Sequence, residues 1–62
     1  MFEEYVNKKV KLRIKIGEDL LTFTGTIKET NTTHIKLLDK FREEHLFLIE
    51  DIAQLTPQEV EG

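Results

Sequence analysis

The stretch KKVKLRIKI, residues 8–16, puts a cation at almost every second position and an aliphatic side chain between them. Period two is the repeat of a β-strand, whose side chains point alternately to opposite faces. Val10, Leu12, Ile14 and Ile16 share one face, and Lys9, Lys11, Arg13 and Lys15 share the other. One face suits a core and the other suits water, as in an antiparallel strand half buried against that core. The rest of the sequence is read from this strand outward, as a mainly β chain.

Before it, Phe2, Tyr5 and Val6 fall at i, i+3 and i+4, the spacing of a short helix with one apolar face over about residues 2–7. So short a helix melts in isolation and must lie on something apolar. After it, Gly17-Glu18-Asp19 reads as a turn. A long strand then runs over residues 20–30, with Leu21, Phe23, Gly25 and Ile27 on one face and Thr22, Thr24, Thr26 and Lys28 on the other. Gly25 falls at the centre of the inward face, where a glycine lets a strand bend over a small core. Asn31-Thr32-Thr33 is a second turn, and a third strand carries Ile35 and Leu37 inward to about Asp39. A polar loop, residues 40–44, holds one aromatic, Phe41, expected to fold back onto the core rather than to stand out as a stacking platform for bases. Residues 45–49 and 52–55 read as a fourth and a fifth strand. Thr56-Pro57-Gln58-Glu59 has the order of a helix start, with a threonine cap and a proline at the first helical position. It is expected to be a frayed turn within a tail of residues 56–62.

Sixty-two residues make one domain. A core of this size supplies only about 3–5 kcal/mol of net stability, and small domains commonly add disulfides, a metal or oligomerisation. Cysteine is absent, and two histidines without a set of convergent carboxylates are not a metal site. No metal and no cofactor is therefore expected, which leaves oligomerisation or a very regular fold. No apolar run reaches the roughly 20 residues that span a bilayer, and MFEEYVNKKV lacks the apolar core of a signal peptide. The expectation is a cytoplasmic protein with no membrane partner.

The fourth strand breaks the alternation. Leu46, Phe47, Leu48 and Ile49 are consecutive and apolar, so both faces of the strand ask for burial. A single small core covers one. A subunit interface formed by Leu46, Phe47, Leu48, Ile49 and Ile52 covers the other. The alternative is that the N-terminal helix or the C-terminal tail lies over it.

A short helix followed by five strands, the second of them long and bent at a glycine, resembles the Sm-like (LSm) family of small, strongly bent, five-stranded β-barrels. The likeness covers about residues 2–55. VKLRIKIGEDLLTFTGTIKETN resembles the first Sm motif, with an aromatic two residues before its glycine and an aliphatic two after it. THIKLLDK resembles that motif's third strand, and EEHLFLIEDIAQL the second motif. The FTGT, LL-D and I-EDI segments are most similar to short archaeal members. The resemblance implies a barrel over residues 9–55. It also implies pairing of the fourth and fifth strands of neighbouring subunits into a homo-oligomeric ring, a hexamer or heptamer. Family members bind uridine-rich RNA at the pore rim through an Asp and an Asn after the second strand and an Arg-Gly pair between the fourth and fifth. The Asp position reads Asn31 here, the Asn position His34, and the Arg-Gly position Ile49-Glu50. The pair has lost its cation and its glycine and gained an acid, so the implied RNA contacts reduce to Asn31, Thr33 and His34. Glu50 and Asp51 near a rim would repel phosphate, whereas His34 can stack on a base.

Lys9, Lys11 and Arg13 have two readings. Either they are the wet side of a strand, or, repeated around a ring, they build a basic surface for phosphates. The net charge of −3 requires any nucleic-acid contact to be local, and Glu3, Glu4, Glu18 and Asp19 lie close enough in sequence to neutralise the stripe. The adjacent pairs Glu43-Glu44 and Glu50-Asp51 point apart in extended chain and do not converge on one substrate, so an enzyme is not expected. Two function classes stand. One is a ring-forming module that binds single-stranded RNA. The other is a structural or protein-interaction barrel without RNA, to which a monomeric Tudor-like barrel is a variant.

Overall fold

The computed structural model describes residues 2–58. Its strands are β1 (Lys9–Ile16), β2 (Asp19–Thr30), β3 (His34–Leu38), β4 (Glu44–Leu48) and β5 (Ile52–Pro57). All five belong to one antiparallel sheet in the order β4-β3-β2-β1-β5. β1 is central to the core, with β2 on one side and β5 on the other. β4 and β5 are the two edges.

The core is made by the alternation that defines β1. Val10, Leu12 and Ile14 are at most 2% exposed, and Ile27 of β2 and Ile35 and Leu37 of β3 are fully buried against them. Each such side chain contributes about 1.5–3 kcal/mol on leaving water. Phe23, Phe47, Ile49, Ile52 and Leu55 pack around this centre, half buried. Ile16 departs from the pattern. It shares the face of Ile14 but is 49% exposed, and Leu20 and Leu21 across the hairpin are 49% and 45% exposed. The cause is length. β5 meets β1 only as far as Ile14, so the hairpin tip runs past the core.

The tip is closed by Gly17-Glu18, with Ile16 opposite Asp19. Gly17 has φ 63, and glycine takes that left-handed value without a steric cost. Gly25 has a different reason. A Cβ there would run into the carbonyl oxygen of Leu38, with the Leu38 carbonyl carbon at 3.0 Å and Leu37 Cγ at 3.1 Å. The glycine therefore lets the end of β3 pass close over β2. Two positions on, the β2–β3 register shifts between Ile27 and Glu29. Such bulges bend the strand that carries them.

Three expectations are corrected. The N-terminal helix is a single 3-10 turn, Glu3–Tyr5, rather than residues 2–7. Val6 is already extended and bridges to Ile27, and the Asn7 N–H donates to the Ile27 carbonyl at 2.6 Å. β2 captures the backbone that a second helical turn would need. Second, Thr56-Pro57 starts no helix. Thr56 pairs with Lys11 and Pro57 with Val10, and the Gln58 N–H donates to the Lys9 carbonyl at 2.9 Å. The ladder outweighs the capping signal, and an edge strand tolerates the proline. Glu59, the last residue of that motif, and the tail beyond it lie outside the described residues.

Third, Phe41 does not fold back; it is 71% exposed. The loop between β3 and β4 is built around Asp39 instead. Its Oδ1 accepts from the Phe41 and Glu43 N–H groups at 2.8 and 3.0 Å, and its Oδ2 lies 2.8 Å from His45 Nε2. With the carboxylate ionised, Nε2 carries the proton and donates. The hydrogen bond from His45, then that from the Glu43 N–H, holds the Asp39 carboxyl below its usual value. A lowered carboxyl stabilises the fold fully above the unfolded value of about 3.9 and loses that contribution as pH falls through the folded value. Asp39→Ala is accordingly expected to melt at a lower temperature than wild type at pH 7. The gap should narrow as pH drops below about 4, and circular dichroism melts across that range measure it. A gap that stays constant into acid would show that the carboxylate is not what holds the loop.

Candidate functional site

The turn after β2 is organised by one side-chain atom. Asn31 Oδ1 accepts from the Thr33 N–H at 2.8 Å, from the His34 N–H at 2.7 Å and from the Thr33 hydroxyl at 3.2 Å. Asparagine favours this local capture of the following backbone. Two backbone donors on one atom fix the amide orientation, so the Asn31 NH₂ is the group turned to other partners. His34 Nδ1 lies 2.7 Å from Thr33 Oγ1. The three residues form one preorganised unit.

β4 borders this unit. Leu48 pairs with His34, and the Ile49 N–H donates to the Thr33 carbonyl at 2.8 Å. Asn31 and His34 line a shallow cleft of about 200 Å³ with Lys36 and Leu46, and Thr33 lines another of about 260 Å³ with Leu48 and Glu50. The first cleft, which Glu29 also lines, therefore offers an amide donor, an imidazole and the Glu29–Lys36 ion pair beside an exposed leucine, and the second has an acid at its margin. That set suits a neutral, planar, hydrogen-bonding group better than a bare phosphate, which Glu50 opposes.

Lys36 was not singled out by sequence reasoning. Its Nζ lies 3.0 Å from Glu29 Oε2, and the hydrogen bond to Glu29 raises its pKa. The signal was present as opposite charges on adjacent strands, but only the register makes Glu29 and Lys36 partners.

Lys9, Lys11 and Arg13 stand elsewhere. They are exposed on the outer face of β1, opposite Thr26, Thr24 and Thr22 of β2. Neither cleft beside Asn31 and His34 includes them. Lys9 instead borders a separate cleft of about 610 Å³ with Thr24, Lys40 and Phe41. The sequence-predicted nucleic-acid residues thus divide into two groups that a single chain does not bring together.

The predicted interface residues also divide. Phe47 faces inward, with its ring 4.7 Å from that of Phe23 and stacked on His45 at 6.0 Å. Ile49 and Ile52 are half buried against the same core. Leu46 and Leu48 point outward, 65% and 39% exposed. Among the described residues no group of three or more His, Cys, Asp or Glu is placed to hold a metal ion, and no helix is long and apolar enough to cross a membrane. No family model, curated protein or solved structure matches the chain.

Proposed function

We propose that this protein is an Sm-like module that assembles through its two sheet edges into a six- or seven-membered ring and binds single-stranded RNA at the pore rim. The observation that carries the reading is the pair of open edges. Among the described residues β4 and β5 end the sheet, and β4 carries exposed Leu46 and Leu48 beside backbone that no described strand pairs. An open edge of this kind is a template for another strand, and β4 of one copy against β5 of the next continues the sheet without end. The barrel belongs to the same reading. Gly25 and the bulge after Ile27 bend β2, and each subunit's curved sheet is completed by its neighbours.

In such a ring the turn carrying Asn31, Thr33 and His34 repeats once per subunit. The Asn31 amide donates to a base carbonyl and His34 stacks on a base, with Ile49 and Glu50 at the margin. Loss of one stacked base costs about 1–3 kcal/mol, so His34→Ala is expected to weaken binding of a short U-rich RNA about tenfold, and Asn31→Ala comparably. Filter binding at low salt measures this. Failure of the wild-type protein to retain either U-rich or A-rich RNA would remove the RNA half of the reading.

A specific observation supports the second class, a ring or barrel that binds protein and not RNA. Asn31 Oδ1 is already occupied by three internal donors, and the family's Arg-Gly pair reads Ile49-Glu50 here, an acid beside a position without its cation. Recovery of a protein partner from a nuclease-treated extract, together with absent RNA retention, would favour it.

A further inference from the structure

Closing a ring requires a defined register between subunits, and β4 specifies one poorly. Register is ordinarily enforced by polarity, because a slip of one residue turns the apolar set to the wrong face. Leu46 and Leu48 on one face of β4 and Phe47 on the other are all apolar, so a slip exposes no polar mismatch at its centre. The stop must come from the strand that β4 meets.

The ladder between β1 and β5 shows which β5 groups are open. Bonded and unbonded pairs alternate along an antiparallel ladder. The Gln58 N–H donates to the Lys9 carbonyl, so Thr56, opposite Lys11, falls in the next bonded pair. Leu55 and Pro57, opposite Leu12 and Val10, fall in the unbonded pairs. Their main-chain groups therefore point away from β1, to the open edge. Leu55 offers both a donor and an acceptor there. Pro57 has no N–H and offers an acceptor alone. On the other side of Leu55 the regular ladder also stops, because Ala53 is the extra residue where the register shifts between Arg13 and Ile14.

The same reasoning gives the open groups of β4. The Ile49 N–H donates to the Thr33 carbonyl and the Asp39 N–H to the Glu43 carbonyl. Residues 43, 45, 47 and 49 thus face β3, and Glu44, Leu46 and Leu48 present complete donor–acceptor pairs to the open side.

We infer that Pro57 is the register stop of the subunit contact. An incoming β4 from a second copy pairs along Leu55 and is halted where its next carbonyl meets a residue with no proton to give. The Ala53 bulge bounds the other end. With a single permitted register, each contact has the same geometry and the assembly closes at one size. Without the stop, a slide of two residues keeps every side chain on its face and yields contacts of mixed geometry, and so rings of mixed size or open chains.

This inference rests on the ring reading, and native mass spectrometry of the full chain separates the two. Pro57→Val restores the N–H with a strand-favouring side chain, and Pro57→Ala restores it with the smallest one. Thr56→Val is the control, since it raises strand propensity at a position whose main chain faces β1. The expected result is one discrete oligomer for wild type and for Thr56→Val, and a spread of sizes, including species larger than wild type, for both Pro57 variants. Circular dichroism confirms that each variant is folded. A single species of wild-type size in either folded Pro57 variant overturns the register stop and leaves the ring standing. A wild type that is monomeric at every concentration tested overturns the ring reading, and the register stop with it.

Discussion

Gly25→Ala is expected to lose most of the protein's stability through one methyl group. Helix or strand propensity is not the reason, since alanine is no worse than glycine in an extended chain. The reason is space. The new Cβ would run into the Leu38 carbonyl oxygen, and the other neighbours at 3.0 and 3.1 Å are a backbone carbon and the branch point of a buried leucine. None of these is the free end of a flexible side chain. Relief requires β3 to move away from β2, and β3 carries Ile35 and Leu37 of the core. Overpacking of this kind costs about 1–3 kcal/mol and occasionally more. Against a net stability of about 3–5 kcal/mol for a chain this small, the upper end of that cost, which rigid neighbours favour, is most of the total. At about 4–8 °C per kcal/mol the melting temperature should fall by roughly 10–20 °C. Gly25→Val should leave no cooperative transition. A Gly25→Ala protein that melts with wild type would mean that β3 has room to yield at Leu38 without disturbing Ile35 and Leu37.

Leu46→Asp should do the opposite, sparing the chain and abolishing its assembly. Leu46 is 65% exposed in the single chain, and substitutions at such positions usually change folding stability by no more than about 0.5 kcal/mol. In the proposed ring the same side chain lies at the β4 edge against the next subunit. Each contact would then bury a carboxylate whose one cross-strand cation, Lys36, is already held by Glu29, and burying such a charge costs several kcal/mol. Because the substitution repeats at every contact, the ring should give way to monomer at concentrations where wild type is fully assembled. Native mass spectrometry reads the oligomer and a thermal melt reads the fold. An oligomer that survives Leu46→Asp would place the subunit contact elsewhere, with the exposed tip at Ile16, Leu20 and Leu21 the next surface to test.

The β1 pattern was legible because it depends on periodicity alone. Val10, Leu12 and Ile14 are buried as the alternation requires, the turns at residues 17–18 and 31–33 fall where glycine and asparagine place them, and five strands follow in the expected chain order. What the sequence obscured was mostly non-local. Ile16 looks like core by period but lies beyond the reach of β5. Thr56-Pro57 looks like a cap because nothing local announces that Lys11 and Val10 pair with it. Phe41 looks like a residue that must hide, yet Asp39 builds its loop from hydrogen bonds and has no need of the ring. The candidate site shows the same division. The turn at residues 31–33 was readable because it is local, whereas the hydrogen bonds on Asn31 Oδ1, the Glu29–Lys36 pair and the separation of Lys9, Lys11 and Arg13 from His34 emerge only from the structure.

The position of β1 between β2 and β5 also fixes an order of events. Its pairing with β2 needs only a two-residue turn, and a local hairpin of this kind forms in about 1–10 μs. Its pairing with β5 joins Leu12 to Leu55 across most of the chain, and such distant closures are slow because the loop entropy is lost before the contacts form. During synthesis β1 therefore emerges early and waits with one side uncovered until the last of the five strands is made. Through that interval the alternating cations of Lys9, Lys11, Arg13 and Lys15 keep one face of a waiting strand in water, and their repulsion discourages two unfinished chains from pairing through it.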